Sequence, residues 1–324
     1  MATYKDIHGF KIQNVSSDPP APFNGQVWYN STSGALRLSK GPLSITWATS
    51  GALNTARRSL GGAGIQTSAL AFGGYSPPAP TATVATEKYN GSNWTEVNDL
   101  NTGRVALRGA GSSNTSALAF GGSAPPYSAL TETWNGTNWT EVNDLNTARN
   151  AFAAAGTSNT AALAFGGDSG VINNNTETWN GTNWTEVNNL NTGRSNLGGA
   201  GTNTSALGFG GGPSPLKADT ELWNGTNWTE VNNLNTARNY LAGCGTSNTA
   251  ALGFGGYSPA LALTETWNGT NWTEVADMNQ ARYNLGGVGT NTSALAFGGA
   301  EPPTGNTATE EFTSSGGNET ITTS

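Results

Sequence analysis

The motif Thr-Ala/Gly-Arg, with Gln replacing Thr in its last copy, returns six times along this chain. Its arginines are Arg57, Arg104, Arg149, Arg194, Arg238 and Arg282, spaced by 47, 45, 45, 44 and 44 residues. A fixed period of this length means one small structural unit used repeatedly. Such a unit cannot bury its apolar surface alone, so neighbouring copies must stack to share a core. This constraint outweighs chain length, because 324 residues would otherwise be read as two or three domains.

Within each unit the arginine precedes a Gly/Ala-rich stretch, then a run such as Ser116-Ala-Leu-Ala-Phe-Gly-Gly122. A variable segment follows, and then Thr131-Glu-Thr-Trp-Asn-Gly-Thr-Asn-Trp-Thr-Glu-Val142. In the first run large and small residues alternate, so Leu118 and Phe120 leave one face of a strand and alanines the other. Both faces can then be buried, bulky against small. Between Trp134 and Trp139, Asn-Gly-Thr-Asn supplies turn residues flanked by strand formers, which predicts a tight hairpin. The 45 glycines and the period-2 pattern exclude helical repeats.

Four extended segments per unit predict an all-β protein, a six-bladed β-propeller with four antiparallel strands per blade. The last unit has Glu310-Glu-Phe312 at its first aromatic position but Gly317 where its sisters carry a second Trp. Trp47 lies ten residues before Arg57, the offset that Trp94 keeps from Arg104, and belongs to no complete unit. Residues 44 to 48 are therefore expected to complete the sixth blade, with Glu319-Thr-Ile-Thr-Thr as a competitor for the same edge. The resulting division is an N-terminal extension over 1–43 and a propeller over 44–324.

These features resemble the kelch repeat family. Its pattern is a Gly-Gly pair after a hydrophobic strand, two spaced aromatics, and an arginine before the next unit. The Gly pairs begin at Gly73, Gly121, Gly166, Gly210, Gly255 and Gly298. The first aromatic is Tyr89, Trp134, Trp179, Trp223, Trp267 or Phe312. The second is Trp94, Trp139, Trp184, Trp228, Trp272 or the displaced Trp47. The Trp-Asn-Gly-Thr-Asn-Trp spacing departs from the family, which usually has Tyr first and a longer gap. Residues 23–41 resemble a short module of phage tail and fibre proteins and read as a β-hairpin, with strands Val27-Trp-Tyr29 and Ala35-Leu-Arg-Leu38.

Repetition also removes candidates for chemistry. A catalytic group is needed once, whereas an Arg and a Glu (Glu87, Glu132, Glu177, Glu221, Glu265) found in successive units are expected to serve packing, by pairing or by holding carbonyls between blades. A second set, Glu96, Glu141, Glu186, Glu230 and Glu274, reads as a solvated strand face rather than the paired carboxylates of a glycosidase. The tryptophans read as blade core rather than sugar platforms. The Gly-Gly pairs precede variable loops instead of a helix, which argues against phosphate binding. The Asn-x-Ser/Thr matches read as a by-product of repetition.

Kelch-like blades also occur in oxidases of the galactose oxidase kind, and that resemblance would imply copper held by histidines and tyrosine. The single histidine, His8, lies outside the repeats, and the single cysteine, Cys244, stands where sister units carry Ala110 or Gly199, a small buried residue. No cofactor and no catalysis are expected. The net charge is −7, from 21 acidic and 14 basic residues without a basic run, which disfavours nucleic acid. No apolar run reaches the length of a signal peptide or a membrane span, so a soluble protein outside the usual export route is expected.

The segments that differ between units are the second-to-third strand connections. In a propeller these share one face with the fourth-to-first connections. They carry Tyr75, Tyr127, Asp168, Lys217, Tyr257 and Glu301, which are the candidate partner-binding residues. The leading expectation is a non-enzymatic phage virion protein of tail, fibre or capsid. Its N-terminal segment would dock other virion proteins, and its loop face would meet a host-surface glycan or protein. The alternative is a soluble, cytoplasmic kelch-like module of a bacterium that binds glycan or protein.

Overall fold

In the computed structural model, residues 12–19, 25–39, 43–78, 81–301, 304–316 and 318–320 are described. Among them the chain is all-β, without a helix, and builds seven four-stranded sheets, six of which repeat one antiparallel pattern in a propeller-like manner. No helix is long and apolar enough to cross a membrane. Two compact units emerge, one of Thr46–Phe312 and one of Met1–Ile45 with Thr313–Ser324. The sequence boundary at 43/44 placed 313–324 with the repeats. His8 and Gly317 lie outside the described residues, as do 1–11, 20–24 and 40–42 of the N-terminal extension.

Each repeat makes one antiparallel sheet. The second sheet runs Arg108–Ser113, Ser116–Phe120, Thr131–Trp134 and Trp139–Val142, each strand paired with the next. Its second strand shows why the alternation matters. Ala117 and Ala119 join the cluster that contains Leu70, Phe72 and Trp139, while Leu118 and Phe120 meet Ala162, Ala164 and Trp184 of the third sheet. All four are fully buried. Large residues of one sheet thus fill the space left by alanines of the next, the interdigitation that close packing requires.

The hairpin forms as predicted. Trp134 stands opposite Trp139, and the Asn135 side-chain oxygen accepts the amides of Thr137 and Asn138 at 2.9 and 2.8 Å. Gly136 takes the left-handed conformation, φ 95°. Asn135 fixes the turn through its side chain, which leaves the positive φ to glycine alone.

First strands of successive sheets pack beside one another, and Gly286–Gly289 of the sixth packs beside Gly61–Ile65 of the first. Small residues are required here. A Cβ on Gly199 would come within 2.5 Å of the Ala154 carbonyl oxygen.

The sixth sheet is ordered Gly286–Gly289, Ser293–Phe297, Thr309–Ser315 and then Ser44–Ser50. Trp47 sits 5.2 Å from Phe312 and 5.1 Å from Phe254, ring centre to ring centre. Of the competing segment 319–323, Glu319 and Thr320 pair instead with Leu38 and Arg37, and 321–323 lie outside the described residues. In the smaller unit Val27–Asn30 and Ala35–Ser39 form the expected hairpin, and Gln13–Val15 adds in parallel. Asp18 holds this unit by accepting from the buried Trp28 indole at 3.0 Å and from Asn30 at 2.8 Å.

Candidate functional site

The recurring arginines are fully buried and each faces a glutamate of its own sheet. Arg104 shows the pattern. Its Nη1 donates to the carbonyls of Gly121 and Leu130 at 3.0 and 2.5 Å, and its Nη2 to Glu132 at 2.8 Å. The other oxygen of Glu132 accepts both the backbone and the side-chain amide of Asn101, each at 2.8 Å. The remaining pairs, Arg57–Glu87, Arg149–Glu177, Arg194–Glu221, Arg238–Glu265 and Arg282–Glu310, lie at 2.7 to 3.2 Å. Burial pulls these guanidiniums below the ordinary arginine value, and the facing carboxylates pull them back.

The guanidinium therefore works inside one sheet. The link between sheets comes from the arginine's backbone, because the second glycine of each Gly-Gly pair donates its amide to the next arginine's carbonyl, as Gly122 does to Arg149 at 2.9 Å. The sixth glutamate, Glu310, escaped the sequence list because its repeat reads Glu-Glu-Phe instead of Glu-Thr-Trp. Its position two residues before the first aromatic is the signal that identifies it.

The tryptophans form a second interlocking set. The second Trp of each sheet donates its indole N–H to a buried threonine of the preceding sheet, as Trp139 does to Thr86 at 3.2 Å and Trp184 to Thr131 at 3.1 Å. Trp228 and Trp272 reach Thr176 and Thr220. Trp47 reaches Thr264 at 3.0 Å, and Trp94 of the first sheet reaches Thr309 of the sixth at 3.0 Å. With at most 7% of each exposed, these indoles offer no platform for a sugar. The second glutamate set is exposed, as expected of a solvated face.

One rim is built from the two kinds of connection together. Bridges join Arg58 to Tyr75, Val105 to Ser123, Asn150 to Asp168, Ser195 to Gly212, Asn239 to Tyr257 and Tyr283 to Ala300. Directly after the first partner of each bridge, six residues hold φ between 52° and 56°, a region that L-residues rarely enter. They are Ser59, Ala106, Ala151, Asn196, Tyr240 and Asn284. Each donates its amide to the carbonyl of the one before, at 2.6 to 3.2 Å, and Ser59 donates to Asn284, so the series returns to its start. These six bonds over-determine the strained backbone.

On this rim the structure brings together two of the six candidate loop residues. Tyr75 and Tyr257 line a cavity of about 510 Å³ with Arg58, Tyr240 and Tyr283. Tyr257 and Tyr283 meet edge to face at 5.1 Å, Tyr240 stands 6.0 Å from Tyr283, and the Arg58 guanidinium lies 4.8 Å over the Tyr75 ring. The other candidates lie elsewhere. The Tyr127 hydroxyl is 3.4 Å from Asp168, whose carboxylate accepts the Gly170 amide at 2.7 Å. Lys217 stands 3.9 Å from Asp219, and Glu301 pairs with Thr304 in a short ribbon.

Sequence reasoning missed Arg58, Tyr240 and Tyr283. Their signal was present, since each follows a repeat arginine by one or two residues at positions where other units carry Val105, Ala106 or Ala151. Cys244 is buried, its thiol pushed up by burial and directed to the Thr290 carbonyl at 3.4 Å. Among the described residues no three His, Cys, Asp or Glu side chains converge as a metal site. In comparison with known proteins, the chain matches no family model and no curated sequence.

Proposed function

We propose that the repeats form a six-bladed kelch-like propeller, closed by the strand Ser44–Ser50, that acts as a non-enzymatic recognition module of a phage particle. The hydrogen-bond series from Ser59 to Asn284 and the Trp94–Thr309 bond support closure, since both join the first sheet to the sixth. The tyrosine cavity carries the recognition reading. Rings that present apolar faces and hydroxyl tips match a sugar, whose own surface mixes C–H faces and hydroxyls. Arg58, held over the Tyr75 ring, adds a cation at the edge. Residues 23–41, similar to a tail and fibre module, support attachment to other virion proteins.

Two measurements test this. Mass spectrometry of purified virions is expected to find the protein at stoichiometric levels, and removal of residues 1–43 to abolish incorporation; absence from virions sinks the phage assignment. Purified protein is expected to bind host-surface polysaccharide. The Tyr75→Ala/Tyr257→Ala double variant should lose at least tenfold in affinity and Tyr127→Ala, outside the cavity, should lose none. Unchanged binding by the double variant removes the cavity from the function. Binding without any incorporation into virions would instead favour a free-standing bacterial lectin.

A further inference from the structure

The six first strands begin with Gly61, Arg108, Ala153, Gly198, Ala242 and Gly286. Five of these have no side chain beyond a methyl group, and one is an arginine. Arg108 lines a cavity of about 80 Å³ bounded by Gly62, Ala154, Gly199, Gly243 and Gly287, residues from the first strands of the other five sheets. No other charged residue lines it. A larger cavity, about 130 Å³, is bounded by the same six strands and is lined by no charged side chain.

The contrast with the repeat arginines is chemical. Each of those faces a glutamate, whereas among the described residues the Arg108 side chain makes one hydrogen bond, from Nη1 to the carbonyl of its neighbour Leu107, at 3.1 Å. Burial pulls its guanidinium down to about 10, with no carboxylate acting against it. It therefore remains charged at neutral pH. The side chain is half-buried among glycines and alanines, and it offers the cavity the N–H donors that Leu107 does not take; with no carboxylate beside it, an anion is the ligand that complements this charge.

We propose that Arg108 forms an anion site between the six first strands, taking a small monovalent ion, chloride in ordinary solution. The cavity admits a halide and some water but not a sugar or a nucleotide. Selectivity for small ions follows from that size, and the charge of the site follows from the single arginine.

Crystals soaked in sodium bromide provide the direct test. An anomalous peak is expected within hydrogen-bond reach of the Arg108 guanidinium in the wild type and is expected to vanish in Arg108→Ala. In solution, replacing sodium gluconate by sodium chloride at equal ionic strength should raise the wild-type Tm by about 2 °C or more, and the Arg108→Ala Tm not at all. Ala at this position is what the third and fifth sheets already carry, and Arg108→Gln supplies a second uncharged variant if the first misfolds. No bromide peak in the wild type, or an equal chloride response in the variants, overturns the proposal.

Discussion

Two arginines stand four residues apart in the second repeat and have opposite circumstances. Arg104 recurs in every unit, meets Glu132 at 2.8 Å and gives both its terminal nitrogens to its own sheet. Arg108 occurs once and has one backbone acceptor. The same contrast separates the buried lattice of Arg, Glu, Asn and Trp from the tyrosine cavity on the rim. What recurs is consumed in holding sheets together. Some of what occurs once, Arg108 and the rim tyrosines, has capacity to spare, and in a repeat protein such departures from the repeat are where a ligand can be recognised.

The largest effect should come from breaking the recurring side of this comparison. Arg149→Ala leaves Glu177 buried beside Asn146 without its cation, and such a loss costs about 3–5 kcal/mol. Urea unfolding would read it; a loss below about 1 kcal/mol would mean that the pair is dispensable.

An intermediate effect is expected where a recurring position carries a singular residue. Tyr89 replaces the tryptophan of its sisters, and its hydroxyl joins Ser50 and Glu311 of the sixth sheet. Burial, followed by the hydrogen bond to Glu311, pushes its phenol up to about 12 from an ordinary value of 10. The folded state thus keeps a proton that the unfolded chain releases above pH 10. This stabilisation is complete below that pH and disappears as the pH rises through about 12. Tyr89→Phe should flatten the fall in Tm between pH 10 and 12, and identical slopes for the two proteins would refute this role of the Tyr89 hydroxyl.

The smallest effect on stability belongs to the singular side. Tyr257 is 42% exposed, and Tyr257→Ala is expected to change unfolding free energy by no more than about 0.5 kcal/mol. A larger loss would move the tyrosine cluster from recognition to architecture.

Much of this was legible in the residues. The strand pattern, the hairpin at Asn135, the burial of bulky residues against alanines and the place of Trp47 beside the sixth unit all follow from period and side-chain size. These are local properties, and each is repeated often enough to stand above chance. The sixth glutamate was hidden only by the degeneration of its repeat.

The rim was not legible in the same way. Tyr75, Tyr127, Asp168, Lys217, Tyr257 and Glu301 look equivalent along the chain, yet only Tyr75 and Tyr257 share a cavity. Their neighbours Tyr240, Tyr283 and Arg58 come from three different connections, so sequence spacing carries no record of the distances between them. Arg108 is the sharper case. Its sequence context is a strand start like five others, and nothing local tells whether its charge meets a carboxylate, solvent or a space between strands. Periodicity determined the units and their core, because packing within and between identical sheets depends on residue size and alternation. Only the tertiary structure decided which singular side chains meet and which charge has no carboxylate facing it, because those depend on how all six sheets are placed at once.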